Sequence, residues 1–454
     1  FGSSKCTLKG RARRSVAPMA PSEDLSEAVS LQVGGSLSPE DELYEAHKAE
    51  LLELLKRGDG RSRMESRSDG GVGLLNQGAT CYMNSLLQVL FHTPEIRTAL
   101  YRWRYDASVH GDASLSIPLQ LQRLFAELQL SSVQAVPTRP FTDSCGFSTS
   151  HSQTQHDVEE LCHVLFDALG RSSKALGAEL DALCTGRATN YIRCLEPRED
   201  GRTPSSHRED TFLDLQVPFQ GCSTLEEALR QLVVPEVLSG DNQWFCEELD
   251  AKVDALKGVQ FKLPSMLCLQ LVRFAFDMTT LRRQKVTDAL SVPLTIDLGF
   301  MQPDRAEAMY ELTGVCLHSG TTHGGHYRAF VRSADGVWLD ANDARVKVMG
   351  AQQLQSLFVL DPLNLEAQGA NVCEGRRALK STEAYFLVYR QTSVPATPVS
   401  DDVVPEPIRS ELLADNERLK VLRQAYDVHK QLISVNVFSP TAPHAALVKY
   451  LEAK

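Results

Sequence analysis

The 454-residue chain predicts an α+β fold, and three observations carry that reading. Apolar residues recur at helical spacing in the first half, strand-like runs crowd the second, and the two kinds do not alternate as βαβ units. A composition of 43% hydrophobic and 23% charged residues supplies the large core such a fold needs.

Residues 1–37 read as a disordered tail, rich in Ser, Ala and Gly with few large apolar groups. The chain opens at Phe1 rather than Met, which points to a fragment. Lys5, Lys9, Arg11, Arg13 and Arg14, with no acid among the first twenty residues, also fit a transit peptide or nuclear signal. The tail reading is preferred, since a targeting segment is defined from a true N-terminus. Residues 39–57 predict a helix, with Pro39 and acids at its start and Lys56 and Arg57 at its end. Residues 58–70 read as a polar linker, closing a first region over 1–70.

From Gly71 the composition turns globular. Met83, Leu86, Leu87, Leu90 and Phe91 predict a helix after Cys81, and Val158, Leu161, Cys162, Leu165 and Leu169 predict another after Asp157. Met266–Phe274, Leu312–His318, His326–Arg332, Val337–Leu339 and Tyr385–Tyr389 predict strands. Residues 391–409 read as a linker, 411–430 as a charged solvated helix, and Leu432–Phe438 as the start of a further module.

A net charge of −11 argues against a general nucleic-acid binder and leaves room for a basic partner. No run approaches the ~18 apolar residues of a membrane span. Eleven scattered cysteines suit a reducing cytoplasmic or nuclear compartment better than a disulfide framework.

Two segments could carry chemistry. Gly73-Leu74-Leu75-Asn76-Gln77-Gly78-Ala79-Thr80-Cys81 leads through a turn, with Thr80 as N-cap, into an apolar helix. A thiol there feels the helix dipole, yet a cysteine of pKa ~8.5 is only a few per cent ionised at neutral pH and needs a base. Taken alone, Cys81 reads equally as a buried structural cysteine. His318-Ser319-Gly320-Thr321-Thr322-His323-Gly324-Gly325-His326-Tyr327 ends in a histidine that opens a strand, and Trp338-Leu339-Asp340-Ala341-Asn342-Asp343 follows. A strand-out, strand-back pair sets Asn342 or Asp343 beside the His326 imidazole, to accept Nδ1–H and leave Nε2 facing the thiol. The 245-residue separation of Cys81 and His326 exceeds the ~130–150 of papain-like enzymes and argues against a papain fold. His318, His323 and His326 make a poor metal cluster, because two glycines leave such ligands floppy. The remaining cysteines read as core or surface thiols.

These segments resemble the ubiquitin-specific proteases, papain-superfamily thiol deubiquitinases. Gly73–Gln88 resembles the family's cysteine box, Gly324-Gly325-His326-Tyr327 with Trp338-x-x-x-Asn342-Asp343 its histidine box, and Thr382–Tyr389 its closing strand. Gln155-His156-Asp157-Val158-Glu159-Glu160-Leu161 matches an intermediate motif, and the resemblance covers residues 71–392. Ile117–Leu128, Asp241–Val259 and Leu267–Asp277, with the helix at 411–430, are most similar to the subgroup with tandem ubiquitin-like modules. At most, Leu432–Phe438 begins such a module, within a last region 393–454.

The resemblance implies a thumb (71–183), fingers (184–260) and palm (261–392). It implies Cys81 as nucleophile, His326 as base, Asn342 as orienter assisted by Asp343, and Asn76 as oxyanion donor. Asp157, with Gln155, would receive the basic tail of ubiquitin, and Gly324, Gly325 and Tyr327 would line a narrow channel for its diglycine end. It implies a deubiquitinase that needs no cofactor, with ubiquitin and ubiquitinated proteins as partners and neither nucleic acid nor membrane; a non-catalytic ubiquitin-binding scaffold is the other class. Two departures stand out. Family fingers carry two Cys-x-x-Cys pairs for zinc, but Cys194 and Cys246 have each lost the second thiol, so the fingers are expected to hold no metal. Their packing would fall to Leu213, Leu215, Val217, Leu225, Leu229, Trp244 and Phe245. Ala341 stands where an aromatic residue usually precedes the orienting Asn.

Overall fold

A computed structural model describes residues 4–8, 28–30, 38–147, 156–197, 201–277, 282–304, 306–322, 324–360, 377–394, 396–431 and 433–437. They divide into two compact units, one of residues 1–64 and 414–454 and one of 65–413.

In the first unit the helix expected at 39–57 spans Pro39–Lys56, and the Ser38 side chain accepts the Asp41 N–H at 3.2 Å to cap it. The Tyr44 hydroxyl lies 3.0 Å from His429 Nδ1, and Arg63 pairs with Asp415. Part of the expected polar linker is instead a short helix, Gly60–Met64, because Met64 turns inward and is buried. Disorder throughout 1–37 is also corrected. Ser4–Leu8 is a strand, parallel to Ala28–Ser30 and antiparallel to Ile433–Val437, so backbone pairing organises segments whose side chains predict no core. The strand expected at Leu432–Phe438 is described over Ile433–Val437; its two end residues lie outside the described ones. The charged helix starts earlier than expected, at Glu406, where Arg409 pairs with Asp402 and Glu406 around the first turn.

The second unit is α+β. Its centre is α1, Cys81–Phe91, in which every residue is buried. Helix α2, Val158–Ser172, buries Val158, Leu161, Cys162, Leu165 and Leu169, the five positions its apolar period marks. Beside them stands an eight-stranded sheet. Its main strands are β1 (Asp214–Val217), β2 (Met266–Leu271), β3 (Met309–Thr321), β4 (Gly324–Arg332), β5 (Trp338–Asn342), β6 (Arg345–Val348) and β7 (Ala384–Gln391). Their spatial order is β6-β5-β4-β3-β7-β2-β1, with Thr295–Asp297 paired to β3. All these pairs are antiparallel except β1 with β2 at the edge, which is parallel. Helix α1 packs against β3, β4 and β5. Leu267, Leu269, Leu271, Val315, Leu387 and Tyr389 fill the core on the sheet. Arg273 is 0% exposed there, its guanidinium donating to the carbonyls of Ala384, Val286, Asp288 and Ser381. Burial pushes its pKa down to about 10, so it remains charged at neutral pH.

A separate four-stranded sheet holds Ser205–Phe212, Gly186–Cys194, Ala255–Lys262 and Glu236–Leu238 in that order. The expected packing of this sheet needs correcting. Leu215 and Val217 lie on β1, and Leu225 and Leu229 lie on the helix Leu225–Leu232; all four are buried in the core of the larger sheet. Leu213 and Trp244 are partly buried, and Phe245 is 51% exposed. The sheet is held instead by Phe212 edge-on to Phe261 (5.7 Å between rings), by buried Ala255, and by Cys194 and Cys246. Those two thiols are in contact, and burial followed by the neighbouring Cys246 raises the Cys194 pKa.

Candidate active site

Cys81 is the first residue of α1 and is 4% exposed. Thr80 occupies the N-cap position but makes no side-chain cap bond. Its hydroxyl serves the preceding loop, accepting Gln77 N–H at 2.9 Å and donating to Asn76 Oδ1 at 3.3 Å. Asn76 Oδ1 also accepts the N–H groups of Gly78 (2.8 Å) and Thr80 (3.2 Å). The loop before the thiol is therefore wound around the Asn76 side chain.

His326 lies on β4, one of the strands that α1 packs against. Its Nε2–H donates to Asn342 Oδ1 at 2.7 Å, which leaves Nδ1 as the basic nitrogen. The pairing with Asn342 is the expected one, but the ring is turned over relative to the expected Nδ1–H bond. Rotation about the Cβ–ring bond decides which nitrogen meets the amide, and residue spacing does not encode it. Asp343 also differs from expectation: its carboxylate accepts from Asn76 Nδ2 at 3.0 Å and from Asn84 Nδ2 at 2.8 Å. It holds the cysteine loop and α1 rather than the imidazole. Its backbone is left-handed, with φ +48°, and its carbonyl accepts Leu74 N–H at 2.9 Å. Gly73 permits this approach, since a Cβ there would stand 2.3 Å from the Ala344 carbonyl carbon. Ala341 is buried and paired with Ala329 on β4. Asp340, on the same face as Asn342, is drawn to Arg328 at 3.6 Å.

Among the residues expected to bind substrate, Asp157 caps α2, its carboxylate accepting Glu159 N–H at 2.9 Å and the Tyr385 hydroxyl. Gln155 lies outside the described residues, as does His323. Gly324 is exposed with open space around its Cα. Gly325 is required by what lies beneath it, since a Cβ would stand 2.4 Å from His318 Nε2 and 2.1 Å from the Ser319 carbonyl oxygen. Tyr327 is a buried floor residue, 4.6 Å from His318 and 6.0 Å from Tyr385 between ring centres. Burial first, then the nearby Asp157, Cys316 and Cys81, raises its pKa, so it stays a neutral phenol. Buried His318 is pushed down to about 4 by desolvation, then by Lys285 and His326, and is neutral at pH 7.

Asn84, Tyr385, Gln270, His163 and Asp214 are parts of the site region that sequence reasoning passed over. Asn84 left a signal, an amide three residues after Cys81 on a mainly apolar helix that also carries Ser85 and Gln88. Glu159, His163 and Asp214 bring three ligand atoms within 4.8 Å of one another, the one such group among the described residues that could hold a metal. Here His163 Nε2 instead meets the Asp214 carboxylate at 2.5 Å and Glu159 at 3.4 Å.

A thiol at the head of a central helix, beside a strand bearing an amide-oriented imidazole, is the kind of arrangement that cysteine hydrolases use. The ubiquitin carboxyl-terminal hydrolase family matches residues 72–389, and the chain belongs to that family. Relatives include mouse (Mus musculus) ubiquitin carboxyl-terminal hydrolase 47, 32% identical over 447 residues, with 83% of this chain and 32% of the relative covered. Ubiquitin carboxyl-terminal hydrolase 15 of Schizosaccharomyces pombe is 35% identical over 382 residues, covering 81% and 32%. Ubiquitin C-terminal hydrolase 13 of Arabidopsis thaliana is 37% identical over 334 residues, covering 68% and 29%. The chain thus spans about a third of the length of the curated relatives it matches.

Proposed function

We propose that this chain is a thiol isopeptidase that hydrolyses the amide bond after the C-terminal glycine of ubiquitin, on conjugates or chains. The observation that carries the reading is the His326 Nε2–H···Asn342 Oδ1 bond of 2.7 Å, which fixes a basic Nδ1 on a strand packed by the helix that Cys81 begins. In the first step His326 Nδ1 takes the Cys81 proton and the thiolate sulfur attacks the glycine carbonyl carbon. Negative charge gathers on the carbonyl oxygen. Asn76 Nδ2 has two hydrogens, and with one committed to Asp343 the other is available to that oxyanion. Collapse breaks the C–N bond, the imidazolium protonates the leaving amine, and a thioester to Cys81 remains. Water, deprotonated by His326, then hydrolyses the thioester and restores the thiol.

In this reading residues 71–183 act as thumb, 184–260 as fingers and 261–392 as palm, with β1 and the helix Leu225–Leu232 packed into the palm core. Asp157 would receive the basic ubiquitin tail, ubiquitin and ubiquitinated proteins being the partners. No helix of the described residues is long and apolar enough to cross a membrane, and the acidic balance disfavours nucleic acid. The reading places the protein in the cytoplasm or nucleus, where its thiols stay reduced. The test is a ubiquitin probe with a C-terminal electrophile. Wild type should label at Cys81 and Cys81→Ser should bind without labelling; binding without a bond in wild type would favour the scaffold instead.

A further inference from the structure

The Asp157 carboxylate is held on both oxygens. Oδ1 accepts Glu159 N–H at 2.9 Å, closing the first turn of α2, and Oδ2 accepts the Tyr385 hydroxyl. Tyr385 in turn accepts from Gln270 Nε2 at 2.8 Å. Gln270 sits on β2 and Tyr385 on β7, neighbouring strands in which Gln270 pairs with Phe386. The chain of bonds therefore crosses two strands of the sheet and ends on the helix cap. We infer that Tyr385 and Gln270 are positioning residues that hold the Asp157 carboxylate at the angle from which it receives the basic tail of the substrate. The inference rests on the proposed function and adds to it which residues aim the acidic group.

A phenol has one proton to give. With the Gln270 amide donating to its oxygen, that proton is left to Asp157. Burial, then the Asp157 charge, raises the Tyr385 pKa, so the hydroxyl remains a donor throughout the physiological range. The ring has its own support, 5.4 Å from Phe274 and 6.0 Å from Tyr327 between centres, and does not depend on the hydroxyl for its place. The carboxylate does need holding. Like charges crowd this corner: after burial, Asp214, and more weakly Asp157 and Glu160, raise the Glu159 pKa against the lowering by His163. A carboxylate among like charges turns toward water unless a donor fixes it. His163, bridging Glu159 and Asp214, supplies a partner to those two acids, whereas Tyr385 supplies one to Asp157.

Tyr385→Phe keeps the ring and deletes the donor. With a ubiquitin C-terminal amide as substrate, it should raise KM roughly tenfold and leave kcat nearly unchanged, the loss of one charge-assisted hydrogen bond. Gln270→Met should move KM the same way by less. On an Asp157→Asn background Tyr385→Phe should add nothing, and against ubiquitin whose basic tail residues are replaced by alanine it should change KM little. A normal KM in Tyr385→Phe, a fall in kcat alone, or effects that add to those of Asp157→Asn would overturn the inference. Labelling of wild type at Cys81 by the electrophilic probe separates the two failures. If wild type labels and turns over while Tyr385→Phe has a normal KM, only the positioning role is lost. If wild type neither labels nor turns over, the proposed function fails and the inference falls with it.

Discussion

The side-chain amide of Asn76 donates to the Asp343 carboxylate at 3.0 Å, joining the loop before Cys81 to the turn after β5. The other Asp343 oxygen takes Asn84, from the second turn of α1. One carboxylate thus fastens the cysteine loop and the cysteine helix to the strand that carries Asn342, so nucleophile and imidazole share a frame although far apart in sequence.

Asn76→Ala should lower kcat about 10²–10³-fold with little change in substrate binding, the scale seen on removing one oxyanion donor. Asp343→Ala should cost less in kcat, about tenfold, since Asn76 keeps its amide but loses its anchor. It should also destabilise by about 1–3 kcal/mol, because the buried Asn84 amide loses its shorter bond and keeps only the Leu74 carbonyl at 3.4 Å. Steady-state kinetics and thermal melts on both variants check this. A kcat for Asp343→Ala equal to wild type would mean the anchor is dispensable.

His326→Ala should abolish turnover and Asn342→Ala should only slow it, since orienting a ring is worth less than supplying the base. Asn342→Asp keeps an acceptor for Nε2–H and should retain more activity than Asn342→Ala. Asp340→Ala should be near normal, its carboxylate facing Arg328 instead of the imidazole. Initial rates at saturating substrate decide the ranking, and a collapse confined to Asp340→Ala would reverse the choice of orienter.

The fold should weaken in mild acid through His318. Its pKa is 6.5 in the open chain and about 4 when buried beneath Gly325, so the unfolded chain binds the proton more readily. The stability tied to a neutral His318 is therefore intact above the unfolded pKa, falls as pH drops below 6.5, and is gone by about 4. The shift sets an upper bound of about 3 kcal/mol. Urea midpoints for wild type and His318→Gln across this range should converge toward acid, the variant losing less. Parallel pH profiles would show that His318 is not the titrating group.

Much of this was legible in the sequence because it depends on local period. The helices after Cys81 and Asp157 and the strands around His326 and Tyr385 follow from spacing of apolar residues, and Asn342 follows from a strand-and-return count. What was hidden depends on rotation or on distant partners. The His326 ring flip is a single torsion. Asp343 leaves the imidazole because a left-handed backbone turns its side chain toward Asn76 and Asn84. Leu215 was apolar enough for either sheet, and only the parallel pairing of β1 with β2 assigns it. The long separation of Cys81 and His326 has a plain cause in the extra sheet of residues 186–262 between them.

That sheet should stay folded without zinc. Cys194 and Cys246 are buried and in contact, but a structural zinc site is tetrahedral and needs four ligands. Among the described residues no third histidine, cysteine or carboxylate joins the two thiols in a metal-competent group. His207, the imidazole nearest in sequence to the lost ligand, is exposed on its strand and lies 3.1 Å from the Ser205 hydroxyl. The two thiols make a small buried contact instead, with Cys194 paired to Ala255 at the end of its strand, and burial raises the Cys194 pKa. Elemental analysis after dialysis should find no stoichiometric zinc, and a chelator should leave the melting temperature unchanged. Cys194→Ser should destabilise by about 1–2 kcal/mol, since a hydroxyl is poorly placed in that contact. Near-stoichiometric zinc that disappears in Cys194→Ser, with a melting temperature that falls on chelation, would show that a metal holds this sheet after all.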